Sequence, residues 1–411
     1  MLFENYERFD MKKKPGKPKL GLLSYLIAYI DKIKHHIIID KSGFKGMKPP
    51  YLLLANHNAF MDIKVMALST FPHKKNYVIA IDGFLNREKF IRDIGGICKR
   101  KFTTDFHLIK QLKYVVDQGR VPVIFPEARY SLCGTTAIIP SSVAGLCKFL
   151  NVPVVVLIMH GHHINSPFWN LHDRKVKPLK AELKVIVTKE ELQTLRPEEI
   201  DARIQEAFKY DEYQWQKENN IHVKYKRRAE GLHKVLYKCP HCGKEYQMDS
   251  KGTKLFCKAC GHTWEYSELG ELSAVEGETY YSHIPDWYEW ERSEVRKEIE
   301  AGTYHFDSIV HTCMMPKDKF IPIGKGHLVH DMNGFKLTGK YKDEEYEVVL
   351  LAKDHYSVHI EYEYLGKFGD CVDLNTLNDT FYVYPKCEKF SVTKMSLACE
   401  ELYKFYNSDK E

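Results

Sequence analysis

The chain reads as an α/β fold: a largely parallel central sheet flanked by helices, then a four-cysteine ribbon and a small β-rich C-terminal domain with a closing helix. Three observations lead there. Continuous apolar runs at 121–125 and 152–158 alternate with helical periodicity, the pattern of strands buried on both faces. Two Cys-x2-Cys-Gly pairs, Cys239/Cys242 and Cys257/Cys260, stand with fourteen residues between Cys242 and Cys257. Later the period shortens to two, Val358, Ile360, Tyr362 and Tyr364 alternating with His359, Glu361 and Glu363.

With 411 residues, 44% of them hydrophobic and 28% charged, the chain has room for two or three folded domains. The expected division is a basic, amphipathic membrane-association region over 1–45, an α/β domain over 46–220, the ribbon over 233–268, and the β-rich domain over 300–411. A net charge of +6 does not demand nucleic acid, which is not among the expected partners. Basic residues instead concentrate at Lys12, Lys13, Lys14, Lys17 and Lys19, just ahead of the apolar run Leu20–Ile30. That run falls short of the roughly 20 residues a bilayer span needs. Leu23, Leu26, Ile27, Ile30 and Ile33 recur at helical spacing, so the helix suits either the surface of an anionic membrane or the domain's own core. The acidic first ten residues, with no small-residue cleavage site after Ile30, argue against a secretory signal. The expected location is cytoplasmic and peripherally membrane-associated.

Along the chain, an apolar strand from Tyr51 runs into His57 and Asp62, and a helix is expected from Ala59 to Thr70. Leu108, Ile109, Leu112, Val115 and Val116 mark a helix over 104–118, capped by Thr103 or Thr104 and stopped by Gly119. The apolar strands 121–125 and 152–158 enclose a helix over 142–150. A last strand over 183–187 and one charged helix over 197–216 complete the domain. Near the C-terminus, 346–352 is expected to form a hairpin with 356–365, and a helix over 393–406 closes the chain.

The spacing of His57 and Asp62 constrains their geometry. Five helical steps leave the two side chains about 140° apart, and an odd separation in a strand puts them on opposite faces. They meet only if the chain turns sharply after Asn56 and Asp62 reaches back from the first turn of a helix. A carboxylate on one ring nitrogen leaves the other as proton acceptor for a hydroxyl, so the pair suits attack of an alcohol on an activated carbonyl.

Further blocks follow in order: Gly95-Gly-Ile-Cys-Lys-Arg100-Lys101, then Phe125-Pro-Glu127-Ala-Arg129-Tyr-Ser131, then Val152-Pro-Val-Val-Val. With His57 and Asp62 the set resembles the lysophosphatidate/glycerol-3-phosphate acyltransferase family over about residues 20 to 215. The family's third block has Gly where Ala128 stands, and its Arg lies one place later than Arg129. The resemblance implies catalysis by His57 and Asp62 and an acyl donor that is a thioester of coenzyme A or acyl carrier protein. It also implies a lipid acceptor of lysophosphatidate or glycerophosphate type, as in phospholipid synthesis. Arg129 and either Arg100 or Lys101 would bind phosphate, since Arg offers a planar fork of donors, with Glu127 positioning Arg129 or the acceptor hydroxyl. The alternative is a non-catalytic lipid-binding scaffold whose ribbon and β domain recruit a partner.

The paired knuckles fit a structural zinc ion held by Cys239, Cys242, Cys257 and Cys260, with all four positions filled by thiolate and none left for catalysis. Eleven cysteines, an odd number, argue against a disulfide framework. His241 and His262 are not needed as ligands. His160, His162 and His163 read as loop lining near the site, and the basic stretch Lys224–Arg228 as a solvated linker face.

Overall fold

The computed structural model describes residue 3, residues 6–363 and residues 368–408; Tyr364 and Leu365 of the expected alternating strand lie outside them. Two compact units emerge. The first comprises Asp10–Lys99 and Asp105–Val223, the second Met1–Phe9, Arg100–Thr104 and Lys224–Glu411.

The first unit contains α1 (Gly21–Lys34), β1 (Ile38–Asp40), β2 (Leu52–Ala55), α2 (Asp62–Ser69), β3 (Lys75–Ala80), α3 (Glu88–Asp93), β4 (Gly96–Lys99) and α4 (Phe106–Asp117). It continues with β5 (Val121–Ile124), α5 (Ser142–Leu150), β6 (Val154–His160), α6 (His162–Asn165), β7 (Lys180–Val187), α7 (Glu191–Thr194), α8 (Pro197–Ala207) and α9 (Glu212–Glu218). The seven strands form one sheet in the order β1-β7-β6-β2-β5-β3-β4. Every neighbouring pair is parallel except β6 and β7. Leu52, Leu54, Val154 and Val156 are buried with Leu112, Val115, Val143 and Cys147 of α4 and α5, which explains the unbroken apolar runs.

Local chemistry moved three boundaries. The amides of Asn58 and Ala59 donate to the Asp62 carboxylate, so α2 begins at Asp62 and not at Ala59. Asp105, not Thr103 or Thr104, caps α4, accepting the amides of His107 and Leu108 at 2.8 and 3.3 Å. The single helix expected over 197–216 is two, because Asp211 caps a new start by accepting the amides of Tyr213 and Gln214.

The α1 stripe faces outward. Leu23, Leu26, Ile27, Ile30 and Ile33 are 46 to 70% exposed, while Ala28 is buried. The basic stretch before it is pinned down: Gln111 donates to the carbonyls of Met11 and Lys13, and Arg120 to those of Pro15 and Gly16. Among the described residues no helix is long and apolar enough to cross a membrane.

In the second unit, β8 (Met248–Lys251), β9 (Lys254–Cys257), β10 (Thr263–Tyr266) and β11 (Leu272–Ala274) form an antiparallel ribbon, followed by α10 (Ile284–Glu300). The buried Trp264 of β10 meets Trp287 of α10 edge-on at 4.8 Å, fixing ribbon to helix. Then β12 (His305–Met315), β13 (Ile321–Asp331), β14 (Gly334–Tyr341), β15 (Glu344–Leu351), β16 (His359–Glu361), β17 (Cys371–Asn375) and β18 (Thr380–Pro385) build an antiparallel sheet ordered β15-β14-β13-β12-β18-β17-β16. Helix α11 (Val392–Asn407) closes it. The expected hairpin is corrected here: β15 pairs with β14 across a turn in which Lys342 and Asp343 both have positive φ, and β16 pairs with β17. Arg228, read as part of a solvated linker, donates to the Tyr266 carbonyl at 2.6 Å and ties down the ribbon.

Candidate active site and metal centre

The C-terminal ends of β6, β2 and β5 lie side by side, and the loops leaving them carry the polar groups. After β2, the buried Asn56 amide donates to the Met159 carbonyl at 2.9 Å and accepts the Met159 amide at 2.8 Å. The chain then turns. The backbone N–H of His57 donates to Glu127 at 3.0 Å, and its carbonyl accepts the Ser131 amide at 2.8 Å, so the loop after β5 grips His57 from both ends.

The His57 ring reaches Asp62 as the spacing argument requires, Nδ1 donating to Oδ2 at 3.0 Å. That oxygen also accepts the amides of Asn58 at 2.6 Å and Ala59 at 3.0 Å. The other, Oδ1, accepts a second imidazole, His162 Nδ1, at 2.6 Å. Asp62 and His162 are fully buried, while the His57 side chain is 20% exposed. Burial pushes the Asp62 carboxyl up, but the hydrogen bonds from His162 and His57 outweigh it and hold it down at about 2. Phe125 stacks on the His57 ring at 3.8 Å and Tyr130 lies against it at 4.2 Å, so little freedom of rotation remains.

Glu127 is buried, its second oxygen accepting the Ala137 amide at 2.7 Å. Burial pushes it up to about 8 against the pull of the Ala137 and His57 amides and of the Arg129 charge. It joins two loops around His57, with buried Arg129 close enough to be felt. Ala128, where the resemblance calls for Gly, sits at φ +55°, so the left-handed turn is kept at a cost of about 1 kcal/mol. Behind Asp62, Tyr210 donates to the buried Glu212, and Asn58 donates to the Tyr210 hydroxyl at 3.3 Å. Burial raises Glu212 to about 8.

The remaining cations expected at the phosphate fall in the second unit. Arg100 is 2% exposed, and its guanidinium donates to the carbonyls of Met315 (3.3 Å), Pro316 (2.8 Å) and Asn378 (2.5 Å) and to the Thr380 hydroxyl (3.2 Å). It anchors that unit and is not an open phosphate ligand, because a buried guanidinium is tolerated only when its donors are engaged. Lys101 points to Glu361, 4.0 Å away. The basic run alone gave no hint of these carbonyls, which come from more than two hundred residues downstream. His162 reads from the sequence as loop lining, but its contact with Asp62 spans a hundred residues and leaves no local pattern.

Cys239, Cys242, Cys257 and Cys260 converge, their sulfurs all within 4.8 Å of one another. The two knuckles repeat one set of bonds. Gly243 N–H returns to Cys239 O and Cys239 N–H to Lys244 O; Gly261 N–H returns to Cys257 O and Cys257 N–H to His262 O. Gly243 and Gly261 have φ of +71° and +79°, which suits glycine. The Cys239–Cys260 and Cys242–Cys257 sulfur pairs are 3.8 Å apart. That matches the roughly 3.8 Å edge of a tetrahedron with zinc–sulfur bonds of about 2.3 Å. His241 and His262 stack on each other beside the cluster; His262 Nε2 donates to the Glu278 carbonyl and His241 Nδ1 bonds the Tyr280 hydroxyl.

No family model matches the chain, and no curated protein does. Among solved structures, the 1-acyl-sn-glycerophosphate (LPA) acyltransferase PlsC from Thermotoga maritima is similar, with a TM-score of 0.36 and 16% identity over 46% of this chain and 74% of that one. A likeness at this level assigns no chemistry, which rests on the side chains themselves.

Proposed function

We propose that the first unit is an O-acyltransferase, moving an acyl group from a thioester of coenzyme A or acyl carrier protein to a hydroxyl of a lysophosphatidate- or glycerophosphate-type acceptor. The observation that carries this reading is the His57–Asp62 pair just past the C-terminal end of β2, at the middle of the largely parallel sheet. With Nδ1–H committed to Asp62, Nε2 is the ring nitrogen left to accept a proton. His57 takes the proton of the acceptor hydroxyl as its oxygen attacks the thioester carbonyl. The carbon–sulfur bond breaks as the carbon–oxygen bond forms, and the imidazolium returns the proton to the departing thiolate. Asp62 holds the ring and offsets its positive charge meanwhile.

Support for a phosphorylated acceptor is narrower, resting on Arg129 in the loop after β5. The outward stripe of α1 and the pinned lysines before it support peripheral attachment to an anionic membrane, where such an acceptor resides. The geometry of the four thiolates supports a structural zinc, which would supply a fold constraint and no catalytic position.

The test is incubation of the purified full-length protein with labelled acyl-coenzyme A or acyl carrier protein and a panel of lysolipids. Transfer to lysophosphatidate or glycerol 3-phosphate is expected. Absence of transfer from either donor to any acceptor overturns the reading, and equal use of an unphosphorylated monoacylglycerol removes its phosphate part. For the membrane, Leu26→Glu combined with Ile30→Glu should abolish co-sedimentation with anionic vesicles, and added salt should weaken it in the unmutated protein.

A further inference from the structure

We infer that His162 is a positioning residue for the candidate base, so that the working unit is His57–Asp62–His162 and not a pair. The inference deepens the proposed function and rests on it for its kinetic consequences only. Its geometry stands alone.

Asp62 presents its two oxygens to two imidazoles, Oδ2 to His57 Nδ1 and Oδ1 to His162 Nδ1, at 3.0 and 2.6 Å. A carboxylate held through one oxygen can pivot about its Cβ–Cγ bond; held through both it cannot. The second hold comes from a different strand end. His162 follows β6 directly, after the left-handed Gly161 (φ +87°), where a Cβ would come within 2.7 Å of the Leu179 side chain. The His162 ring is fully buried, and among the described residues its Nε2 has no hydrogen-bond partner. Its proton therefore belongs on Nδ1, facing Asp62, and the ring acts as a single fixed donor. That donor draws on the same negative charge His57 needs when it becomes imidazolium. His162 thus sets both the direction of the carboxylate and how basic His57 is.

Other charges face this group. Glu127 and Arg129 come from the loop after β5, and His163, Tyr210 and Glu212 stand behind Asp62, each of these three feeling its charge. His160 feels His162 from the end of β6. Burial lowers His163 to about 3 and His160 to about 4 and raises Glu212 to about 8, so none of the three changes charge between pH 5 and 7.

Three substitutions separate a positioning role from mere packing. Asn places an amide N–H near the position of Nδ1, Gln extends past it toward Nε2 at similar volume, and Leu fills the space without a donor. In the full-length, ligand-free protein labelled with ¹⁵N-histidine, the His57 ring should titrate at higher pH in His162→Gln and His162→Leu, because Asp62's charge is then shared with one imidazole fewer. It should titrate as in the unmutated protein in His162→Asn. If transfer activity is present, kcat should fall roughly 10- to 100-fold in the Gln and Leu variants, the order found when the hydrogen bond orienting a metal-bound histidine is lost. KM should hold steady, and Asn should restore most of kcat. An unshifted His57 titration in both the Gln and Leu variants overturns the proposal, as does an Asn variant that shifts as far as they do. Should Leu fail to fold, Gln against Asn decides. Since the titration needs no substrate, a protein without acyl transfer still tests His162, and the two failures are told apart.

Discussion

Two seven-stranded sheets in one chain treat buried polar groups in opposite ways. In the parallel sheet, β6, β2 and β5 release their C-terminal ends at one edge, so His162, His57 and Glu127 arrive together from three loops. In the antiparallel sheet, successive strands end at alternate edges, and polar groups are settled where they lie. His330 bonds Tyr304 at 2.8 Å, His359 bonds Glu361 at 2.9 Å, and on the helices beside the sheet Arg292 meets Glu400 at 2.7 Å. The first arrangement gathers its groups around His57, whose side chain is 20% exposed; the second pairs its groups inside the fold. The difference is one of topology, not composition.

The contrast is open to attack from either side. The largest effect should come from the metal centre: Cys257→Ser should remove the zinc from natively purified protein and open residues 235–266 to protease, because metal binding and folding are coupled. Elemental analysis showing one zinc per chain before the change and none after is the expected result. Next is His57→Ala, expected to cut acyl transfer about 10²- to 10⁴-fold, the usual worth of a general base, with the melting temperature little changed. Near-normal turnover in that variant would remove His57 from the chemistry.

Comparing the two arginines sharpens the contrast further. Arg100→Met strands three carbonyls that now accept from the guanidinium, and at about 1 kcal/mol or more each this should cost at least about 3 kcal/mol in denaturant unfolding. The acceptor KM should not move. Arg129→Ala should instead raise that KM roughly ten- to a hundredfold, equivalent to one charge-assisted hydrogen bond, and leave the donor KM nearly alone.

The smallest effect concerns pH. Glu212 holds its proton to about pH 8 in the folded chain but to only about 4.3 when unfolded. The folded state binds the extra proton between those values, so this group's contribution is full below about pH 4 and declines as pH rises toward 8. Glu212→Gln keeps the shape of the side chain and one carbonyl oxygen to accept from Tyr210 or the Ile164 amide but cannot titrate, so it should flatten that part of the stability profile. Asp62 acts in the reverse sense: its depressed value gives stability that is present above the usual carboxylate range and lost as pH falls toward 2. A profile in Glu212→Gln as steep as the original would mean that burial does not hold the proton there.

What could be read in advance was what neighbouring residues decide. The helix over 142–150 has the bounds expected, and the elbow followed from five residues of spacing. The ribbon's four cysteines announce themselves in pairs. Distant partners could not be read: nothing near Arg100 announces the carbonyls at 315, 316 and 378, and nothing near Asp62 announces His162. Asn333-Gly334 is a strong hairpin signal, and taking it would have paired β13 with β14 and freed β15 from the wrong partner. Strands β3 and β4 are hidden for another reason: Lys75, Asn76 and Lys99 interrupt the apolar pattern, yet Lys75 and Asn76 are buried and hydrogen-bonded.

Asn56 spends its side chain as if it were backbone. By meeting both the amide and the carbonyl of Met159, it extends the pairing of β2 and β6 one residue past the end of β2. The loop carrying His57 and the strand leading to His162 are therefore latched beside the point where they must converge. A fluctuation that frees one should free the other, so the constellation opens as a whole or stays closed. The Met159 amide proton, locked by a side chain and not by a strand neighbour, would exchange with solvent at the rate of that opening and serve as its clock.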